Sequence, residues 1–169
     1  MNLMMKKIRW LAVLILSISN IACIDKPQSV TVPIAEVPLS SQISLDVYKS
    51  LTCSCCEKWV THITDSGFVT AVHHPTDLNQ LKINLNISSQ YQSCHTAVSS
   101  NGYVFEGHIP AYIIQRFLAD PPDDALGLAV PGMPIGSPGM EMGNRYDKYD
   151  VLILSKAGGS KIFEHVVAK

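Results

Sequence analysis

Three cysteines within four residues, Cys53-Ser54-Cys55-Cys56, are where reactive side chains concentrate in this sequence. Cys94 adds a fourth thiol further along the chain. With Cys23 near the N-terminus set aside, four cysteines remain, and an even number in an oxidising compartment normally signals structural disulfides. Here that reading is poor, because adjacent Cys55 and Cys56 cannot both reach distant partners when Cys94 alone is available. The clustering points to chemistry at one spot. Soft thiolates select Cu(I), zinc or iron–sulfur centres. A C-x-C-C run packs its sulfurs too tightly for all of them to bind one tetrahedral ion without strain. Sulfurs that bridge two ions relieve the crowding, which ranks Cu(I) first and zinc second. Cys53 and Cys56 also have the C-x-x-C spacing of thiol–disulfide oxidoreductases, the alternative function.

Imidazoles supply further donors. His95 adjoins Cys94, so on an extended strand the two would face opposite sides, and a turn before the strand is needed to bring both inward. His108 follows Gly107 and precedes Pro110, a position open to a ligand or a helix cap. His73 and His74 read as exposed strand-end residues, His62 as a residue of an outer helix face, and His165 as remote. Met133, Met140 and Met142 lie in a Gly/Pro loop rather than on an amphipathic helix. Thioethers suit Cu(I) better than zinc. The loop is expected to cover the site with one methionine, Met133, near the metal.

The elements that must position these groups follow from periodicity. Residues 44–49 alternate around Leu45 and Val47 as a strand, with Lys49 expected outward. Glu57 to Ser66 carries Trp59, Val60 and Ile63 at helical spacing and ends at Gly67. Phe68 to His73 reads as a strand, and Asp77 as the cap of a weaker helix through Leu78, Leu81 and Ile83. Asn101-Gly102 joins two apolar runs as a hairpin. Pro110 opens a helix with Ile113, Ile114, Phe117 and Leu118 on one face, stopped by Pro121-Pro122. Val151 to Leu154 and Lys161 to Val166 form a late hairpin across Gly158-Gly159. The expected fold class is α/β, a thioredoxin-like sandwich of order β-α-β-α-β-β-α with a C-terminal β-hairpin and a Gly/Pro/Met loop. The cysteines then fall where the first strand meets the first helix, and the dipole of that helix stabilises thiolates. In thioredoxins the position of Cys94 and His95 holds a cis-proline that faces the C-x-x-C pair and helps to hold substrates. A typical disulfide reductase is therefore not expected.

The N-terminus addresses the compartment. Lys6, Lys7 and Arg9 precede a short apolar run, and Ala22 then leads into Cys23. That order predicts a secretory signal over 1–22, too short for a comfortable span. Cys23 is the candidate for lipidation, although Asn20 stands where a lipobox has an aliphatic residue. Residues 23–43, rich in Pro and Ser, read as a tether, and 44–169 as one domain. Cleavage removes three basic residues and leaves 10 basic against 14 acidic, a net charge of −4. No basic stripe remains, which speaks against nucleic acid. Membrane contact is expected only through the lipid anchor.

Four separated motifs, in order, resemble one family: Tyr48-Lys49-Ser50-x-x-Cys53-x-Cys55-Cys56-x-Lys58-Trp59, Ser93-Cys94-His95-Thr96-Ala97, Glu106-Gly107-His108-Ile109-Pro110-Ala111 and the stretch from Gly127 to Glu141. The resemblance is to the CopG-type copper-resistance proteins. It implies a periplasmic thioredoxin-like domain that binds several copper ions through the C-x-C-C cysteines, Cys94 and nearby histidines. It also implies a role in copper resistance, with change of copper oxidation state and other envelope copper-handling proteins as partners.

Overall fold

The computed structural model describes residues 42–167, so the signal, most of the tether and Cys23 lie outside the described residues. The chain forms one mixed sheet of seven strands with helices packed against it. In chain order these are β1 (Ser44–Lys49), α1 (Ser54–Asp65), β2 (Val69–His73), α2 (Leu78–Asn84), β3 (His95–Ser99), β4 (Val104–Glu106), α3 (Ala111–Ala119), β5 (Ala125–Ala129), β6 (Tyr149–Ser155) and β7 (Ser160–Val166). The sheet order is β2-β1-β3-β4-β5-β6-β7. β1 runs parallel to β2, and β4 parallel to β5, while the other neighbours are antiparallel. Among the described residues no helix is long and apolar enough to cross a membrane.

Local sequence accounts for most of these elements. α1 buries Cys56, Trp59 and Ile63, one stripe of an amphipathic helix. It begins at Ser54, three residues before the expected start, which draws Cys55 and Cys56 into its first turn. α3 buries Ala111, Ile113, Ile114 and Phe117, and Pro110 occupies its N-cap. Trp59 Nε1 donates to the Ile109 carbonyl at 2.9 Å, which ties α1 to the segment that leads into α3.

β5 was not expected as a strand. Its sequence, ALGLA, shows no alternation because four of its five residues are buried. A side chain at Gly127 would run into the Val104 carbonyl of β4, so the close strand approach needs glycine there. Lys49 also departs from its expected outward placement. Lys49 shares the parity of Leu45 and Val47 and is buried, with its ammonium reaching Glu57 at 2.9 Å. α2 turns Lys82 inward and leaves Ile83 exposed, the reverse of an apolar-face reading.

Lys82 is buried because it meets Glu106, itself fully buried on β4. Glu106 Oε1 also accepts the Ser93 N–H at 2.6 Å, and Oε2 accepts the Thr96 hydroxyl at 2.6 Å. Lys82 donates a second bond to the Ser93 carbonyl at 3.1 Å. The pair thus fixes the residue immediately before Cys94. Removing one partner of a buried pair leaves an uncompensated charge, at a cost of about 3–5 kcal/mol. Glu106→Gln should therefore lower the urea-unfolding free energy by about that amount, and Lys82→Met added to it should restore most of the loss. Equal stability of Glu106→Gln and the parent would contradict the network's role.

Candidate metal centre

Cys53 is the N-cap of α1, and its side chain makes no capping bond. Cys55 and Cys56 lie in the first turn, where unpaired backbone N–H groups and the helix dipole favour negative sulfur. Cys53 and Cys56 are joined by a disulfide, while Cys55 and Cys94 are free. Cys55 Sγ lies 3.5 Å from Cys53 Sγ, and Cys56 Sγ lies 3.9 Å from the Cys94 carbonyl oxygen. All four sulfurs fall within 4.8 Å of one another. Two chain segments therefore deliver thiols to one point, and reduction of the disulfide would make all four available as donors.

Cys94 belongs to a second group. Its sulfur lies 3.0 Å from His108 Nε2 and 3.4 Å from His95 Nδ1. Cys94 directly precedes β3, and the backbone turns there, so Cys94 and His95 face the same point despite being adjacent. His108 Nδ1 donates to the Pro138 carbonyl at 2.8 Å. That bond fixes the tautomer and leaves the Nε2 lone pair directed toward Cys94. The His95 ring packs against Trp59, with centroids 4.3 Å apart, and against His108 at 4.9 Å. Its Nε2 is buried and has no hydrogen-bond partner. Such an orphan costs about 1–3 kcal/mol. The nitrogen that faces the Cys94 sulfur is the other one, Nδ1.

The Gly/Pro loop lies over this constellation. A Cβ on Gly139 would come within 2.6 Å of the Cys55 carbonyl and 2.9 Å of the Trp59 nitrogen. Only glycine, here at φ +85°, lets the loop settle on the start of α1 and offer the Pro138 carbonyl to His108. Gly107 is equally constrained, since a Cβ there would meet the Val130 carbonyl at 2.5 Å and Ser93 at 2.8 Å. The Ser93 hydroxyl donates to the Gly132 carbonyl and pins the start of the loop. Met133 is about half exposed and lines a surface cleft with Pro131, Pro134, Tyr149, Asp150 and Leu152.

The remaining histidines are engaged elsewhere. His73 pairs with Asp46 at 2.7 Å and His165 with Asp150 at 2.6 Å, while His74 bonds the Lys49 carbonyl. His62, expected on an outer face, instead accepts the Ala111 N–H at 3.0 Å at the start of α3. The supporting residues Lys82, Glu106, Pro138 and Gly139 were not identified from sequence as site residues. Glu106 stood inside a recognised motif, and its burial on a short strand was the missing fact.

Electrostatics favour the neutral forms of Cys94, His95 and His108. Burial pushes the Cys94 thiol up to about 11, and neighbouring Cys55 pushes it in the same direction. Burial holds His95 well below its ordinary range, reinforced by His108, Lys82 and Lys49. His108 is lowered as well, chiefly by burial. Both imidazoles therefore present lone pairs at neutral pH, and a metal ion held by Cys94 would have to displace its proton. The depressed histidines bind protons more readily in the unfolded chain, so their contribution to stability is present above the unfolded value of about 6.5 and is lost as pH falls below it. The urea midpoint of the metal-free chain should fall between pH 7.5 and pH 5, and His95→Leu should flatten that fall. A midpoint that rises on acidification would contradict the assignment.

A family model described as a protein of unknown function, DUF411, matches residues 91–140, from just before Cys94 to the loop over the site. No curated protein matches the chain at a significant level. Two solved structures are similar over most of its length. One, named copper resistance protein CopG form 2, is 36% identical, with a TM-score of 0.71, covering 75% of this chain and 99% of that one. The other, CopG form 1, is 37% identical with a TM-score of 0.70 and the same coverage. With more than a third of the residues identical over almost the whole of those structures, the chain belongs to the CopG family.

Proposed function

We propose that this protein binds copper in the cell envelope and serves copper resistance, holding several Cu(I) ions in a thiolate-bridged cluster when its cysteines are reduced. The observation that carries the reading is the convergence of four cysteine sulfurs from two segments within 4.8 Å, beside two buried imidazoles. Copper resistance in the named relatives supports the choice of metal. Cys53, Cys55, Cys56 and Cys94 are the bridging donors, with His95 and His108 completing the outer positions. Zinc is the second choice, since imidazole and thiolate suit it as well, but the crowded C-x-C-C run favours bridged Cu(I). Met133 is assigned as a thioether donor at the loop, and the mixed sulfur–nitrogen set suits copper in either oxidation state.

The strand order β2-β1-β3-β4, the parallel β1/β2 pair and the cysteines between β1 and α1 support a thioredoxin-like core. The Cys53–Cys56 disulfide favours a second reading, thiol–disulfide exchange with exported proteins. Against it stand Cys55 and Cys94, extra thiols that would trap mixed disulfides. Export by a signal over 1–22, attachment through acylated Cys23 and a tether to the domain at 44–169 complete the proposal, with other envelope copper-handling proteins as its partners.

Four outcomes are expected. The reduced domain should bind more than one Cu(I) per chain in a titration against a competing chelator, and clean saturation at one ion would remove the cluster. Cys94→Ser should lose most of the reduced domain's copper affinity while the fold survives, because a buried hydroxyl that finds a partner costs only about 1–3 kcal/mol. Cys55→Ser should lower the number of ions bound. If both variants bind like the parent, the four-cysteine site is wrong. Insulin reduction should be far slower than that of a true thioredoxin, and comparable turnover would favour the exchange reading.

A further inference from the structure

The two donor groups differ in one respect that matters for metal capacity. Cys53 and Cys56, which form the disulfide, belong only to the first group. Cys94, His95 and His108 form the second group, with donor atoms all within 4.8 Å of one another, and none of these three is consumed by the disulfide. Their arrangement is also held by partners outside the disulfide. Ser93 is fixed by Glu106 and Lys82, and the His108 ring by the Pro138 carbonyl. One thiolate and two imidazoles around a point form a three-donor set that accepts a single copper ion.

We propose that the disulfide form of this chain carries a separate one-ion copper site made by Cys94, His95 and His108, and that reduction of Cys53–Cys56 converts it into the several-ion site. The inference rests on the copper reading of the centre and adds to it a dependence on thiol redox state. The conversion needs a dithiol reductant. One thiolate of that reductant attacks a sulfur of the Cys53–Cys56 bond to give a mixed disulfide. Its second thiol displaces the chain and leaves as the oxidised disulfide. Two electrons and two protons thus reach Cys53 and Cys56, and each thiol releases its proton when it takes up Cu(I). Cys55, whose sulfur lies 3.5 Å from Cys53, stands at the edge of the one-ion site and belongs to the expanded one.

The test uses the full chain with Cys23→Ser, which removes the remaining thiol outside the domain. Cu(I) is titrated anaerobically against a competing chelator, before and after reduction with a dithiol and removal of the reductant. The disulfide form should bind one Cu(I), retained in Cys55→Ser and lost in both Cys94→Ser and His108→Ala. The reduced form should bind more than one. A Cys53→Ser/Cys56→Ser chain should bind one ion whether or not it has been treated with reductant, which keeps the test open if the native disulfide proves hard to maintain. The inference is overturned if the disulfide form binds no copper, or binds as much as the reduced form. It is also overturned if that form shows no free thiol because Cys55 and Cys94 have joined. Loss of binding in the disulfide form alone leaves the copper reading standing, whereas failure of both forms removes both.

Discussion

The buried carboxylate of Glu106 is the constraint on which the centre depends. Taking a carboxylate and an ammonium out of water costs several kcal/mol per ion and is offset only when the remaining oxygens and protons find partners. Here one oxygen serves Lys82 and the Ser93 N–H, and the other takes the Thr96 hydroxyl. A single side chain on β4 therefore ties α2, the segment before β3, and β3 itself to one place. His108 follows Glu106 across Gly107, whose lack of a side chain lets the Val130 carbonyl and Ser93 close in. Both sides of the Cys94–His108 contact are thus set from the same point.

The charges around this frame act in one direction. Lys49 and Lys82 are both buried, and both discourage protonation of His95. Lys49 stands opposite His95 in the β1/β3 register, so the effect is built into the sheet. Cys94, His95 and His108 are thus held in their neutral forms. Proton release from Cys94 would then balance part of the incoming charge and couple metal uptake to pH.

Much of this was legible in the sequence, and the rest had physical reasons for being hidden. β1, α1, α3 and both hairpins announce themselves through local periodicity and through proline and glycine at their ends. The convergence of Cys94 on the C-x-C-C run follows from placing the two segments at neighbouring strand ends. β5 escaped because a strand buried on both faces has no alternation, and its glycine looks like a loop residue. Lys82 escaped because a lysine is buried only when a distant partner compensates it, and Glu106 is 24 residues away. The orientation of His108 depends on a carbonyl from the Gly/Pro loop 30 residues on, which no local pattern encodes. Met133 is about half exposed and lines a cleft with Pro131 and Tyr149.

The central claim is that thiolates from α1 and from the start of β3 share copper ions in the reduced protein. Copper X-ray absorption on the reduced, copper-loaded chain tests it most directly, because the scattering shells report ligand type and neighbouring metals together. The account predicts a first shell dominated by sulfur with some nitrogen, and a copper–copper shell that disappears in Cys55→Ser/Cys94→Ser. A first shell of nitrogen and oxygen alone, or sulfur ligation with no copper–copper shell at full loading, would contradict it.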